Sequence, residues 1–292
     1  MTTASEDPPA PADAAVRDRS QAVLRIAPPR RRLELGLGDV WGYRELLYFL
    51  VWRDVKVRYK QAALGVTWVV LQPVLLMTLY SLIFGRFLNA PSHGAPYSAF
   101  VLAALMPWQL FAIALSQSGN SLVTNQQLVT KIHFPRILLP VSAVLAGFVD
   151  FAASFVVLMV VLAAHGIAPT VHILLLPAFL LLAVIAALSV GILLAALNAR
   201  YRDVQHLLPT LTQFWFFATP IAYASTLVPD RWRPVLGLNP MAGVADGFRW
   251  ALLDQPLTSA PMIAVSTGLT VLLAFVSLAY FHRTSSTFAD VV

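Results

Sequence analysis

ILLPVSAVLAGFVDFAASFVVLMVVLAAH, residues 137–165, carries one charged side chain, Asp150, in 29 positions. A helix on the surface of a soluble protein needs a polar face, and this stretch has none. About 20 apolar residues cross a bilayer's hydrocarbon core, so the segment reads as a membrane span. Five further stretches read the same way: Val66–Leu88, Tyr97–Gly119, His172–Leu197, Leu207–Ser225 and Met262–Phe281. Six spans make an all-α integral membrane fold.

Composition agrees. Apolar residues make up 58% of the chain and charged ones 12%, with a mean hydropathy of +0.72, against about 25% charged residues in soluble domains. The net charge of +6 is not gathered into a nucleic-acid-binding face. Its Lys and Arg flank the spans, sixteen on one side and four (Arg86, Arg231, Arg233, Arg249) on the other. The positive-inside rule then places both termini in the cytoplasm. No apolar core of signal-peptide length occurs in the first 40 residues, so no cleaved leader is expected. The absence of cysteine excludes disulfides and thiolate chemistry, the six histidines show no ligand spacing, and no metal site is expected.

Residues Met1–Pro29 are rich in Ala, Pro, Asp and Arg, a composition that cannot offset its ordering entropy. We expect a disordered cytoplasmic tail over residues 1–35, its Arg30–Arg32 run either solvated or touching anionic headgroups, and one transmembrane domain over 36–292. From Trp41 to Gln61 the pattern changes. At 100° per residue, Trp41, Tyr48, Trp52, Val55 and Tyr59 share a stripe, with Arg53, Lys56, Arg58 and Lys60 around it. A stretch so soon interrupted by charge predicts a helix lying in the cytoplasmic interface, its aromatics in lipid or against the spans; Gly65 marks the bend into the first span. Asn120–Arg136 predicts a short cytoplasmic helix, with Ser121, Thr124 and Asn125 as candidate caps and Pro135 as its stop. Thr226–Pro261 is too long for a simple connection. Its apolar pieces VLGL and MAGVADGFRWALL should dip into the membrane or cover a cavity mouth.

Six blocks together resemble a known family: WRDVKVRYKQAALGVTWVVLQPVL at 52–75, LMPWQLF at 105–111, VTKIHFPR at 129–136, LNARYRDV at 197–204, ATPIAY at 218–223 and LNPMAGVADGFRWALL at 238–253. They resemble the permeases of type 2 ABC exporters, most nearly those moving O-antigen, capsule or teichoic-acid chains out of bacteria. A drug, lipid or haem exporter of the same superfamily is the alternative. The resemblance implies a multi-pass subunit of the bacterial cytoplasmic membrane. Two copies form a channel, docked on two copies of a separate ATPase that uses ATP and Mg; this chain binds no cofactor and is no enzyme. It implies an interface helix at 41–61, a coupling helix at about 120–136 and outer gate helices in 226–261. Thr124, Asn125, Gln126, Lys131, His133, Phe134, Pro135 and Arg136 are the expected ATPase-coupling residues. The sequence has no G-x-x-x-x-G-K-[ST] phosphate loop, which agrees with a partner hydrolysing ATP.

A sugar polymer needs a lined path, because burying one unpartnered hydroxyl costs roughly 2–7 kcal/mol. Aromatic faces can stack on pyranose rings without fixing one hydrogen-bond pattern. Trp68, Tyr80, Trp108, Phe111, Phe214, Trp215 and Tyr223 are the channel candidates, with helix packing or interface anchoring as the competing role. Asp150 sits where a charge costs about 2.5–3.5 kcal/mol; it either bonds a neighbouring helix or meets the substrate path, since no second intramembrane acid supports a proton relay. Arg200 and Arg202 stand at a cytoplasmic helix end, where they meet a phosphate or follow the ordinary basic bias. Gln72–Pro73 and Pro107 interrupt helical hydrogen bonding and either bend the helices around a pore or serve packing. A secondary transporter is disfavoured by the missing internal repeat, and a membrane enzyme by the missing catalytic constellation.

Overall fold

The computed structural model describes residues 41–60, 67–132, 134–168, 170–255, 257, 259–285 and 288. The N-terminal tail, Gln61, the Gly65 bend and His133 lie outside them. All the described residues belong to one compact unit, Glu34–Val292, and among them the regular structure is entirely helical.

Helix α1 (Arg44–Lys60) precedes α2 (Thr67–Tyr80), which runs on through a π-helical turn, Ser81–Phe87. Then come α3 (Tyr97–Thr124), the short α4 (Gln126–Lys131), α5 (Leu138–Ala146) and α6 (Phe148–Ala164) joined at Gly147, and α7 (Leu176–Arg200), entered through a 3-10 turn at Val171–Leu175. Helices α8 (Val204–Ala218), α9 (Arg233–Leu236), α10 (Pro240–Leu253) and α11 (Ala260–Thr284) complete the chain. Five helical stretches are long and apolar enough to cross a membrane: Thr67–Phe87, Tyr97–Thr124, Leu138–Ala164, Val171–Arg200 and Ala260–Thr284. They match five of the six expected spans. Pro73 and Pro107 lie inside helices that continue past them.

The expected span Leu207–Ser225 takes another form. Helix α8 has 15 residues, about 22 Å at 1.5 Å per residue, short of the roughly 30 Å of hydrocarbon. It stops because Pro220 biases the residue before it away from helix, and Thr219 is accordingly extended (φ −94°, ψ 135°). The residues that follow, Thr219–Ala222, are buried without being helical. Likewise the expected 120–136 helix divides. The second span continues to Thr124, and only Gln126–Lys131 forms the separate α4.

Helices α3 and α7 form the centre, packed along one another. Of the apolar window of α3, 78% is buried, against 11% for that of α2. Small residues allow the approach: Ala114 and Ser118 of α3 face Gly191 of α7, where an added Cβ would stand 2.6 Å from Ser118 Oγ. Close backbone contact through small side chains is how helices pack when lipid is as apolar as the core. Asn198 ties the same pair together, its Nδ2 donating to Gly119 O at 3.0 Å and Asn120 Oδ1 at 3.1 Å.

The bundle has two ends. At the basic end, Leu46, Leu47 and Leu50 of α1 pack with Leu122, Val129, Leu138, Ala196 and Phe281. At the opposite end, α10 lies against α3, α7 and α11, and Gln255 donates to Ser92 O at 2.8 Å. There His172 stacks on Trp250 and bonds Asp254 at 2.8 Å.

Candidate functional site: a polar path at the basic end

Side chains recurring one or two helical turns apart put amides on the inner face of an otherwise apolar bundle. Gln109, Ile113 and Gln117 recur along one face of α3, Asp150 and Ser154 one turn apart on α6, and Trp68 and Gln72 one turn apart on α2. With Arg58 and Tyr59 at the end of α1, these residues line a cavity of about 190 Å³. A second cavity of about 580 Å³, lined by Arg53, Asp54, Asn120, Ser121, Thr124 and Asn125 among others, shares Arg58 and Gln117 with the first. Those two side chains stand between the cavities, so the pair forms a stepped polar path inward from the basic end.

Arg58 is the step. Its Nη1 donates to Asp150 Oδ2 and its Nη2 to Gln117 Oε1, while the Tyr59 hydroxyl donates to Asp150 Oδ1. Asp150 therefore bonds a neighbouring helix, one of the two expected roles, and it also lines the inner cavity. Partial burial, then the hydrogen bond to Asp150, pushes the Tyr59 phenol up to about 12, so it stays a donor at neutral pH. Asp54 accepts from Arg53 at 2.7 Å and from Ser142 of α5 at 3.1 Å. Ser154 Oγ donates weakly to Gln109 Oε1 at 3.4 Å. The other end of that amide, Nε2, is buried without a partner among the described residues.

The remaining sequence-derived candidates divide. Trp41, just before α1, and Tyr48 and Trp52 on it point outward at 74%, 64% and 56% exposure; the leucines, with Tyr59 alone of the stripe's aromatics, hold the helix to the bundle. Lys56 is exposed too. Trp68 borders the inner cavity. Phe214 is 72% exposed on α8, and Tyr80 is half-buried against Phe84 and Phe216. Trp108 and Phe111, expected on a channel wall, are 4% and 0% exposed. They pack on Phe216 and Trp215 and reach no open surface. Trp215 donates Nε1 to Asn239 Oδ1 at 2.9 Å; Tyr223 is half-buried near α10.

In the coupling segment, Val129 is buried while Thr124, Gln126 and Lys131 are exposed. Asn125 precedes α4 without capping it and donates back to Ser121 O at 2.8 Å, as Ser121 does to Ser118 O at 2.7 Å. Phe134 and Pro135 are half-buried, and Arg136 donates to Ser285 O at the end of α11, a bond that ties two elements of the bundle. Arg200, exposed, lies 5.5 Å from the Tyr201 ring centre, with Arg202 exposed beyond it.

Sequence reasoning missed Gln109 and Gln117, whose shared face on α3 was a usable signal. It counted Arg249 only as a charge on the less basic side, within a piece expected to dip into the membrane or cover a cavity mouth. Arg249 is 3% exposed on α10 and donates to Ile221 O at 2.6 Å, Phe100 O at 3.2 Å and Tyr223 O at 3.4 Å. Its guanidinium lies over the Phe100 ring at 3.6 Å and 3.8 Å from Asp246. The Tyr97 hydroxyl donates to Ala222 O. Together they satisfy the carbonyls of Ile221, Ala222 and Tyr223 in the non-helical segment after α8, where buried backbone needs such partners to persist.

The family model described as the ABC-2 type transporter matches residues 45–253. The chain is 30% identical to the O-antigen export system permease protein RfbA of Myxococcus xanthus over 86% of its own length and 97% of that protein. It is 28% identical to a protein of the same name from Klebsiella pneumoniae, over 85% and 95%. With the polysialic acid transport protein KpsM of Escherichia coli it shares 21% identity, over 79% and 90%. With the membrane-spanning helices described above, these matches identify the chain as a multi-pass membrane permease that belongs to the ABC-2 type transporter family.

Proposed function

We propose that the chain is the permease subunit of an ATP-driven exporter that moves a lipid-linked polysaccharide across the bacterial inner membrane, both termini cytoplasmic, working as two copies with two separate ATPase subunits. One observation carries the need for a second copy. Helix α2 and helix α8 leave long faces uncovered, with Leu75, Leu79, Ile83 and Phe87 exposed on one and Leu211, Phe214 and Phe217 on the other. Thr210 and Gln213 interrupt the second face. A mixed apolar and polar surface fits a shared conduit better than lipid alone, since a polar group facing hydrocarbon is costly. The named relatives support polysaccharide as the cargo: two of those above are O-antigen export permeases and one transports polysialic acid.

In this reading the outward aromatics of α1 lie in the cytoplasmic headgroup layer. The exposed side chains around Val129 meet the ATPase, which binds ATP and Mg. Lipid-linked glycan approaches the polar path at the basic end, with Arg200 and Arg202 available to its phosphates. The test is the ATPase rate of this chain copurified in lipid with its neighbouring ATPase, with and without a lipid-diphosphate-linked polysaccharide. Stimulation that is lost on disrupting 131–136 is expected. A complex stimulated only by small amphiphiles would mean a drug or lipid exporter, and no complex at all would end the proposal.

A further inference from the structure

We infer that the inner cavity between α1, α2, α3 and α6 is a subsite for one neutral pyranose ring of the translocated glycan; the inference rests on the polysaccharide reading. Size sets the first limit. Pockets for drug-sized molecules run to about 300–1,000 Å³, so the inner 190 Å³ suits a single ring and the outer 580 Å³ a longer piece.

The wall chemistry selects the ligand. Trp68, 48% exposed, lines the cavity, and an indole ring is a surface on which the C–H face of a pyranose stacks. Gln72, Gln109, Ser154 and Asp150 surround the same space, and hydroxyls, which both donate and accept, can satisfy amides and a carboxylate at once. An anionic group is a poor fit. Among the described residues the one cation on the wall, Arg58, already spends one arm on Asp150 and the other on Gln117, and Asp150 would repel a phosphate. The apolar tail of a lipid fares no better, since it would strand the polar wall.

Gln109 carries the assignment. Its Oε1 is engaged by Ser154 while its Nε2 is buried and unpartnered among the described residues. A buried donor without an acceptor costs about 1–3 kcal/mol, which a hydroxyl or ring oxygen in the cavity would recover. The site lies within one protomer, and Trp68 and Gln72 continue the exposed α2 face of Leu75 and Leu79, so it holds a ring at the margin of the conduit.

The test places a small aliphatic diazirine side chain, close to isoleucine in size, at Ile113, on the cavity wall, in the full exporter with its ATPase, in cells making the glycan. Illumination is expected to give an adduct carrying sugar. Gln109→Leu should lower its yield at least about fivefold, the factor one lost hydrogen bond typically carries, without loss of thermal stability. Trp68→Ala should lower the yield further than Trp68→Phe. A sugar adduct indifferent to Gln109→Leu, an adduct containing only lipid, or no adduct while export continues would each overturn the subsite and leave the exporter standing. Failure of the unsubstituted protein to export any glycan would instead remove the polysaccharide reading itself.

Discussion

Both ends of the bundle carry an Arg–Asp pair, used in opposite ways. At the basic end, the Arg58 and Asp150 side chains keep 20% and 16% of their surface beside cavities of about 580 and 190 Å³. At the opposite end, Arg249 and Asp246 keep 3% and 4%, and the space beside them is about 10 Å³. The first pair joins three helices through side chains with room alongside. The second spends its donors on backbone carbonyls and leaves no room. An Arg–Asp pair marks a site where a ligand can reach it, and a structural tie where the surroundings are filled.

The largest effect should come from breaking the filled pair. Arg249→Leu strips the acceptors' partner from a non-helical segment and leaves Asp246 with Ser225 Oγ, at 2.5 and 2.6 Å, as its remaining partner among the described residues. Removing one member of a buried pair costs about 3–5 kcal/mol. The variant should be degraded, or melt well below the parent in detergent by light scattering, and Arg249→Lys should rescue little because one ammonium cannot span three carbonyls.

Asp150→Asn should cost less, about 1–3 kcal/mol, because water reaches the cavities. Combining it with Arg58→Gln should restore most of the stability while polysaccharide export, read by surface glycan staining, stays low. Full recovery of export would reduce this pair to a structural tie like the other. Gly191→Val tests the centre both ends share. Overpacking against Ser118 should cost about 1–3 kcal/mol, and Ser118→Gly should return part of it in a double-mutant cycle. The smallest effect is expected at Trp52→Ser on the outer face of α1, within about 0.5 kcal/mol of the parent in stability. A larger loss would mean that the aromatic stripe is packed against protein.

The spans were legible because lipid demands length and apolarity, which sequence states directly: Tyr97, Leu138 and Ala260 begin helices within two residues of the expected starts. Apolarity is blind to backbone shape, however, so ATPIAY read as the end of a span when its proline makes it a buried turn. Partners 92 positions apart, such as Arg58 and Asp150, leave no periodic trace. Trp108 illustrates a further limit: an aromatic side chain has the same spelling in a core and on a channel wall. Where a pattern was regular, as with the amides of α3, the path's lining could have been found.

The carbonyls held by Arg249 also bear on biogenesis. Tyr223 and Arg249 are 26 residues apart, about 1–5 seconds of synthesis at roughly 5–20 residues per second. Through that interval the turn after α8 has been synthesised while the side chain that completes it has not yet been made. A nascent chain halted before residue 249 is therefore a natural client for membrane quality control, and the last stretch translated before α11 decides whether the earlier ones can stay.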